Sequence, residues 1–164
     1  MSLEIITASN NDREVIKNLL QLYIYDFTEY IDMNVDENGL FKLHVDLNEY
    51  WTEEDKHAYL IKQEGKYAGF ALVKMVILPT RHHSIAEFFI LKKYRKKGIG
   101  QAVAEKIFDS HPGEWEVHQT ENNVAAQKFW NSVIARYTDS NYSDHFLNGK
   151  RIQTFKNEKK DKNS

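Results

Sequence analysis

Three cations come directly before two glycines in the stretch Arg95-Lys96-Lys97-Gly98-Ile99-Gly100, and a single isoleucine separates the two glycines. The apolar stretch Ser84–Leu91 precedes them and is predicted to be a strand, and a helical pattern from about Ile99 to Ser110 follows. The first N–H groups of a helix have no partner within it and carry the positive end of its dipole, while glycine lets the backbone curl closely around a bound group. This stretch is therefore predicted to be an anion-binding loop between a strand and a helix.

Strands and helices are predicted on both sides of this loop. Two strands, Ala58–Gln63 and Tyr67–Val76, flank Glu64-Gly65 and are predicted to form a hairpin. The remaining predicted strands are Leu3–Thr7, Trp115–Gln119, and two closing segments around Arg136–Thr138 and Arg151–Phe155. Helices are predicted after Asn10 or Asn11 and after Asn122 or Asn123, because asparagine is a favoured N-cap residue.

The predicted fold class is α/β (α+β mixed), with one mixed, mainly antiparallel sheet and helices on both of its faces. The helix after the loop connects the fourth and fifth strands. Because such a crossover joins parallel strands, Ser84–Leu91 and Trp115–Gln119 are predicted to be a parallel pair. A single domain is predicted over residues 1–156, followed by a charged, disordered tail over residues 157–164.

Composition excludes several functional classes. The chain has no cysteine, which excludes disulfides and a cysteine nucleophile. No apolar run is long enough to span a membrane and no secretory signal is recognisable, so we expect a cytoplasmic protein without a membrane partner. His44, His82 and His83 lack partners at metal-ligand spacing, so no metal is expected.

Charge is unevenly distributed along the chain. The net charge is −2, and the five cations of residues 92–97 leave −7 for all other residues. Proteins that bind nucleic acid usually carry a whole basic face, so a small anionic ligand is expected instead of nucleic acid. The alternative, a nucleic acid bound by the cations of residues 92–97, would lose affinity steeply with salt.

Two motifs resemble those of the GNAT superfamily of N-acetyltransferases. The loop lacks the Gly-Lys-Ser/Thr of a Walker A motif and the third glycine of a dinucleotide-binding fingerprint. It matches the superfamily's Arg/Gln-x-x-Gly-x-Gly/Ala at Arg95, Gly98 and Gly100, with Lys92 in place of the proline of the usual Val-x-Pro-x-Tyr lead-in. Residues 123–130, Asn-Val-Ala-Ala-Gln-Lys-Phe-Trp, resemble its second motif, Asn-x-x-Ala-x-x-hydrophobic-Tyr.

The resemblance implies an N-acetyltransferase that moves an acetyl group from acetyl-coenzyme A to an amine acceptor, either a small molecule or a peptide. The loop amides would hold the cofactor's pyrophosphate, the strand before the loop would pair with the pantetheine arm, and the second motif would also contact the cofactor. A homodimer is compatible with the resemblance. The residues implied in cofactor binding are Phe88, Phe89, Ile90, Arg95, Lys96, Lys97, Gly98, Ile99, Gly100, Gln101, Asn123 and Trp130.

Three residues are candidates for the base that takes a proton from the acceptor ammonium. Alternation along the fifth strand places Glu116 and His118 on one face, and the resemblance puts His118 where some members of the superfamily have a catalytic glutamate. Glu87 is the third candidate. The resemblance puts the superfamily's bases on the fourth strand at Ser84 and Ala86, neither of which is basic, so Glu87 would point to the opposite face unless a bulge shifts it. The resemblance also implies that a backbone N–H near Ile90 stabilises the oxyanion.

Trp130 stands where the superfamily's second motif ends in a tyrosine that serves as the acid. An indole N–H cannot donate a proton in this way. Tyr137, Tyr142 or water would then assist the departing thiolate, which can also leave unprotonated because a thiol has a pKa of about 8.5. The same departure leaves an alternative function open, that of a non-catalytic acyl-coenzyme A binding or sensing module.

Overall fold

The computed structural model of this chain describes residues 2–158, and within that range it contains seven β-strands and four α-helices. The strands are β1 Leu3–Thr7, β2 Lys56–Gln63, β3 Lys66–Val76, β4 His82–Ile90, β5 Gly113–Thr120, β6 Ser143–Leu147 and β7 Lys150–Asn157. The helices are α1 Arg13–Phe27, α2 Glu49–Thr52, α3 Ile99–Ser110 and α4 Val124–Thr138, with short 3-10 turns at Asn10–Asp12 and Lys92–Tyr94.

The strands form one sheet in the order β1-β2-β3-β4-β5-β7-β6. The pairs β1–β2, β5–β7 and β6–β7 are antiparallel, whereas β4 and β5 are parallel and pair at their beginnings, His83 with Trp115 and Ser84 with Glu116. The predicted fold class, a mainly antiparallel sheet with a parallel pair between the fourth and fifth strands, is confirmed.

The chain divides into two compact units, and it passes between them within β3, within β4 and again after Tyr94. The first unit contains the described residues up to Leu72 together with Glu87–Tyr94, and its core includes Ile16, Leu20, Leu60, Ile61 and Phe70. The second contains Val73–Ala86 and the described residues from Arg95 onward, with a core that includes Val103, Ile107, Phe108, Trp115 and Ile134. A single domain over residues 1–156 stays a prediction.

Three local predictions are corrected by the structure. Arg136–Thr138 is the last turn of α4 and not a strand, because Trp130, Val133 and Ile134 continue the buried face of that helix. Neither Asn10 nor Asn11 is the N-cap of the first helix. The N-cap of α1 is Asp12, whose carboxylate accepts a hydrogen bond from the Ser9 N–H at 2.8 Å. Asn157 is the last residue of β7, so it does not belong to the predicted tail, of which residues 159–164 lie outside the described residues.

Gly69 allows β3 to approach the end of β4 closely within the first unit. A Cβ atom at this position would lie 2.0 Å from the carbonyl oxygen of Phe89, far inside any van der Waals contact, and that oxygen belongs to the backbone. The Leu91 N–H also donates to the Ala68 carbonyl at 2.8 Å, which holds the two segments together. Glycine at position 69 therefore determines where the backbone of Phe89 lies.

Replacing Gly69 with alanine is expected to lower the free energy of unfolding by about 1–3 kcal/mol, because an overpacked core must shift to relieve the clash. Urea unfolding measures the loss. Gly65→Asn is the matched control, since nothing lies within 4 Å of a Cβ there and asparagine tolerates its φ of +73°. Equal stabilities of Gly69→Ala and the wild type would show that β3 and β4 do not approach so closely.

Candidate active site

The loop after β4 adopts the conformation that its glycine pattern predicts. Lys96 and Gly98 have φ angles of +62° and +77°, and Gly98 is the left-handed N-cap residue from which α3 begins. Nothing lies within 4 Å of a Cβ built on Gly98, so glycine is needed there for its conformation and not for lack of space. Ile99 is buried and fixes the start of the helix, whereas Lys96 and Lys97 are exposed.

The backbone donors of this loop point to an anion. The first hydrogen bond of α3 runs from the Ala102 N–H to the Gly98 carbonyl at 3.1 Å. The N–H groups of Ile99, Gly100 and Gln101, which precede that bond, have no partner within the helix. Three consecutive N–H groups at the positive end of a helix, next to two exposed lysines, can bind a phosphate group.

Asn123 is the N-cap of α4, which decides between the two predicted asparagines. Its Oδ1 accepts a hydrogen bond from the Ala126 N–H at 3.0 Å. Trp130, further along the same helix, is buried, and its ring lies 6.3 Å from Phe108 and 5.0 Å from Phe129 between centroids. Contact of either Asn123 or Trp130 with a cofactor stays a prediction.

Glu116 and His118 lie together on one face of β5. His118 Nε2 is 3.2 Å from Glu116 Oε2, and both side chains are partly exposed, whereas Trp115, Val117 and Gln119 are buried on the opposite face. Burial lowers the pKa of His118, and the charges of Lys150 and His82 act in the same direction against the opposing influence of Glu116. A neutral imidazole held beside a carboxylate is the arrangement that a general base requires.

His82 joins this pair, which the sequence did not predict. It is buried at the start of β4, its Nε2 lies 3.4 Å from Glu116 Oε2, and its Nδ1 lies 2.7 Å from the Thr80 carbonyl oxygen. The sequence predicts that this strand begins at Ser84, but β4 already begins at His82. Extending the alternation of β4 back from Ser84 would have placed His82 on the same face as that residue.

Glu87, the third candidate base, lies in the first unit and has tyrosine neighbours. Its carboxylate accepts a hydrogen bond from Tyr23, and burial together with this carboxylate raises the pKa of Tyr23. The pKa of Tyr50 is raised in the same way, by burial and then by Glu87. The Tyr23 ring packs in turn against Phe70 and Phe89, with centroids 6.0 and 5.6 Å away. Glu87 is therefore hydrogen-bonded to a tyrosine of α1 that packs against two phenylalanine rings.

Of the two tyrosines proposed to replace the missing acid, Tyr137 already donates its hydroxyl proton to another side chain. Its hydroxyl donates to Asp109 Oδ1 at 2.7 Å, and burial followed by Asp109 raises its pKa. Such a hydroxyl gives up its proton less readily than a free tyrosine does. Tyr142 lies just before β6, and nothing in the structure links it to Glu116 or His118 within residues 2–158.

The sequence profile of the acetyltransferase (GNAT) family matches residues 19–133 of the chain, a span that includes the loop, β5 and most of α4. The chain belongs to this family. Acetyl-coenzyme A is the acetyl donor that the family uses. The match confirms the family that the two motifs predicted.

Individual relatives agree with this assignment. An uncharacterized N-acetyltransferase from the region 3′ of lysA in Bacillus methanolicus is 28% identical over 90 residues, which cover 55% of this chain and 72% of that protein. The structure is similar to an acetyltransferase from Thermus thermophilus, with a TM-score of 0.71, 12% identity, and coverage of 95% and 97% of the two chains. It is also similar to a putative streptothricin acetyltransferase from Bacillus anthracis in complex with acetyl coenzyme A, with a TM-score of 0.58, 17% identity, and coverage of 96% and 100%.

Membrane-spanning helices and metal clusters are both absent from the part of the chain that the structure describes. None of the helices within residues 2–158 is long and apolar enough to cross a membrane. Over the same residues, no group of three or more histidine, aspartate or glutamate side chains is arranged to hold a metal ion.

Proposed function

We propose that this chain is an N-acetyltransferase that moves the acetyl group of acetyl-coenzyme A to a primary amine by direct attack on the thioester. The observation that carries the proposal is the loop before α3, where the left-handed Gly98 begins the helix and the first N–H groups, which have no partner within it, lie beside two exposed lysines. This is the site that the pyrophosphate of coenzyme A requires. The acetyl-coenzyme A complex of the Bacillus anthracis protein supports the same cofactor.

The pantetheine arm is proposed to follow the backbone of Phe88, Phe89 and Ile90. Support comes from the start of the parallel pair in the second unit, where β4 and β5 are in register at His83 and Ser84. The next two residues of β4, Ile85 and Ala86, have no register partner among the described residues of β5. An arm that carries amides can bind like an added strand where two strands cease to pair.

The proposed chemistry requires few side chains. The acceptor ammonium gives a proton to His118, and the amine nitrogen then attacks the thioester carbonyl carbon. A backbone N–H near Ile90 stabilises the oxyanion until the C–S bond breaks, coenzyme A leaves as the thiolate, and the nitrogen of the new amide releases its extra proton to water. Because its thiol has a pKa of about 8.5, this thiolate can leave near neutral pH without a tyrosine acid.

A non-catalytic acyl-coenzyme A binding or sensing module is the second candidate function. Two observations favour it: Trp130 occupies the place of the acid tyrosine, and the Tyr137 hydroxyl is bonded to Asp109 at 2.7 Å. Neither affects the proposed anion loop, so both functions share the same cofactor site. Only turnover separates them.

Release of free coenzyme A from acetyl-coenzyme A, measured over a panel of cationic, neutral and anionic amines, tests the proposal. We expect cationic primary amines to be acetylated fastest, because the chain outside residues 92–97 carries a net charge of −7. Turnover confined to neutral or anionic amines would contradict the expected charge of the acceptor. Tight binding of acetyl-coenzyme A without turnover of any amine would establish the sensing module instead.

A further inference from the structure

Three side chains in the second unit meet at one oxygen atom. Glu116 Oε2 lies 3.2 Å from His118 Nε2 and 3.4 Å from His82 Nε2. The side chain of His82 is only 6% exposed, whereas those of Glu116 and His118 are 31% and 33% exposed. A buried imidazole therefore lies behind a pair that solvent and substrates can reach.

Hydrogen-bond donors and acceptors determine where the protons of this cluster are. The Thr80 carbonyl can only accept, so the His82 Nδ1 that lies 2.7 Å from it carries a proton. In a neutral His82, Nε2 then carries a lone pair and can only accept. An ionised Glu116 carboxylate can also only accept, so no hydrogen bond joins the two atoms in that state. The contact becomes favourable when His82 and Glu116 share one further proton.

Such a shared proton would change the negative charge that lies beside His118. When Glu116 Oε2 accepts the Nε2–H of His118, the Nδ1 lone pair of His118 remains as the basic site. A carboxylate with full negative charge would hold a proton on His118 strongly. If Glu116 shares a proton with His82, the pair has little net charge, and His118 would then stay neutral more readily.

We propose that His82 is a positioning residue for acetyl transfer, which holds Glu116 Oε2 from its buried site and limits the negative charge that Glu116 presents to His118. The inference rests on the proposed function, in which His118 takes the proton of the acceptor. A further charged group near His118 is Lys150 of β7, whose charge lowers the pKa of His118 as well. His82 thus keeps the base free of a proton at neutral pH without touching the substrate.

Nuclear magnetic resonance titration of the histidine ring protons tests this inference without any substrate. His82→Gln can still donate an amide N–H to Glu116 but cannot share a proton with it. We expect the pKa of His118 to rise by about half a pH unit or more in this variant. His83→Gln is the matched control, because His83 is the next residue but its ring packs against His111 and Trp115, and it should leave the His118 titration unchanged.

The route through Glu116 is tested by a double variant. In a Glu116→Gln background, adding His82→Gln should no longer move the His118 titration, and a rise of undiminished size there would overturn the proposed route. The wild type gives a reading that needs no substitution: protonation of His82 should perturb the chemical shifts of the His118 ring. A His118 ring whose chemical shifts do not respond to protonation of His82 would overturn the inference, even if His82→Gln failed to fold.

The kinetic readout separates this inference from the function on which it rests. In His82→Gln, the acidic limb of kcat/KM should move to higher pH together with the His118 titration, with the KM for acetyl-coenzyme A unchanged. If the wild type transfers acetyl groups but folded His82→Gln has an unchanged His118 titration, only the role of His82 is overturned and the proposed function stands. A shifted titration in a protein that acetylates no amine would instead overturn the proposed function.

Discussion

Replacing Gly98 with valine is expected to weaken acetyl-coenzyme A binding by at least about 100-fold while the protein remains folded. Gly98 has a φ of +77°, which a β-branched residue avoids, so valine would rotate the backbone from which α3 begins. The N–H groups that follow would then no longer converge on one phosphate. A 100-fold loss corresponds to about 2.7 kcal/mol, which is the contribution of one or two hydrogen bonds to a charged group. Isothermal titration calorimetry measures it.

Gly149→Val provides a matched control for this experiment. Gly149 lies in the turn between β6 and β7 with a φ of +76°, and nothing lies within 4 Å of a Cβ at either glycine. Both substitutions should therefore cost a similar amount of stability, about 1–2 kcal/mol, but only Gly98→Val should lose affinity for acetyl-coenzyme A. Wild-type affinity in folded Gly98→Val would show that the pyrophosphate binds elsewhere.

The loop could be predicted from sequence because its determinants are local. Gly98 is required by a backbone angle, the cations are adjacent in the chain, and the strand before and the helix after are visible as apolar patterns. The parallel pairing of β4 and β5 follows equally directly, since a helix between two strands imposes it. The family could be identified because two such local motifs occur in the right order.

Elements without a buried face could not be predicted in the same way. Every residue of β6 is exposed, so no alternation of apolar and polar residues marks Ser143–Leu147 as a strand, whereas Arg136–Thr138, at the end of α4, is wrongly predicted to be one. What holds β6 is pairing with β7 and the salt bridge from Arg151 to Asp144 at 2.6 Å. Such contacts join residues that are separated in sequence and leave no periodic signal.

The catalytic candidates fall between these two cases. Alternation correctly placed Glu116 and His118 on one face of β5, because that rule depends only on the strand itself. The contact of His82 with Glu116 depends on the register between β4 and β5, which no local pattern encodes. The same holds for Glu87, whose bond to Tyr23 of α1 joins two distant parts of the sequence.

His118→Ala is expected to lower kcat/KM for amine acetylation by about 10²–10⁴-fold at neutral pH, the usual contribution of a general base, which is roughly 3–5 kcal/mol. Glu116→Ala should lower it by at least about tenfold, because Glu116 orients His118 and stabilises the imidazolium that forms. Affinity for acetyl-coenzyme A should change little in either variant, since the proposed cofactor contacts lie on the loop. His145→Ala is a matched control, because His145 lies on the exposed strand β6.

The pH dependence gives this prediction its sharpest form. The base acts only when neutral, so wild-type kcat/KM should fall as pH drops through the pKa of His118, which burial places below the usual value of about 6.5. In His118→Ala this limb should disappear, and the deficit should shrink as rising pH deprotonates the amine in solution. Full activity of both His118→Ala and Glu116→Ala across the pH range would remove β5 from the mechanism. Glu87 would then be the remaining candidate base. Because Tyr23 donates a hydrogen bond to its carboxylate, Tyr23→Phe would have to move the acidic limb of kcat/KM to higher pH.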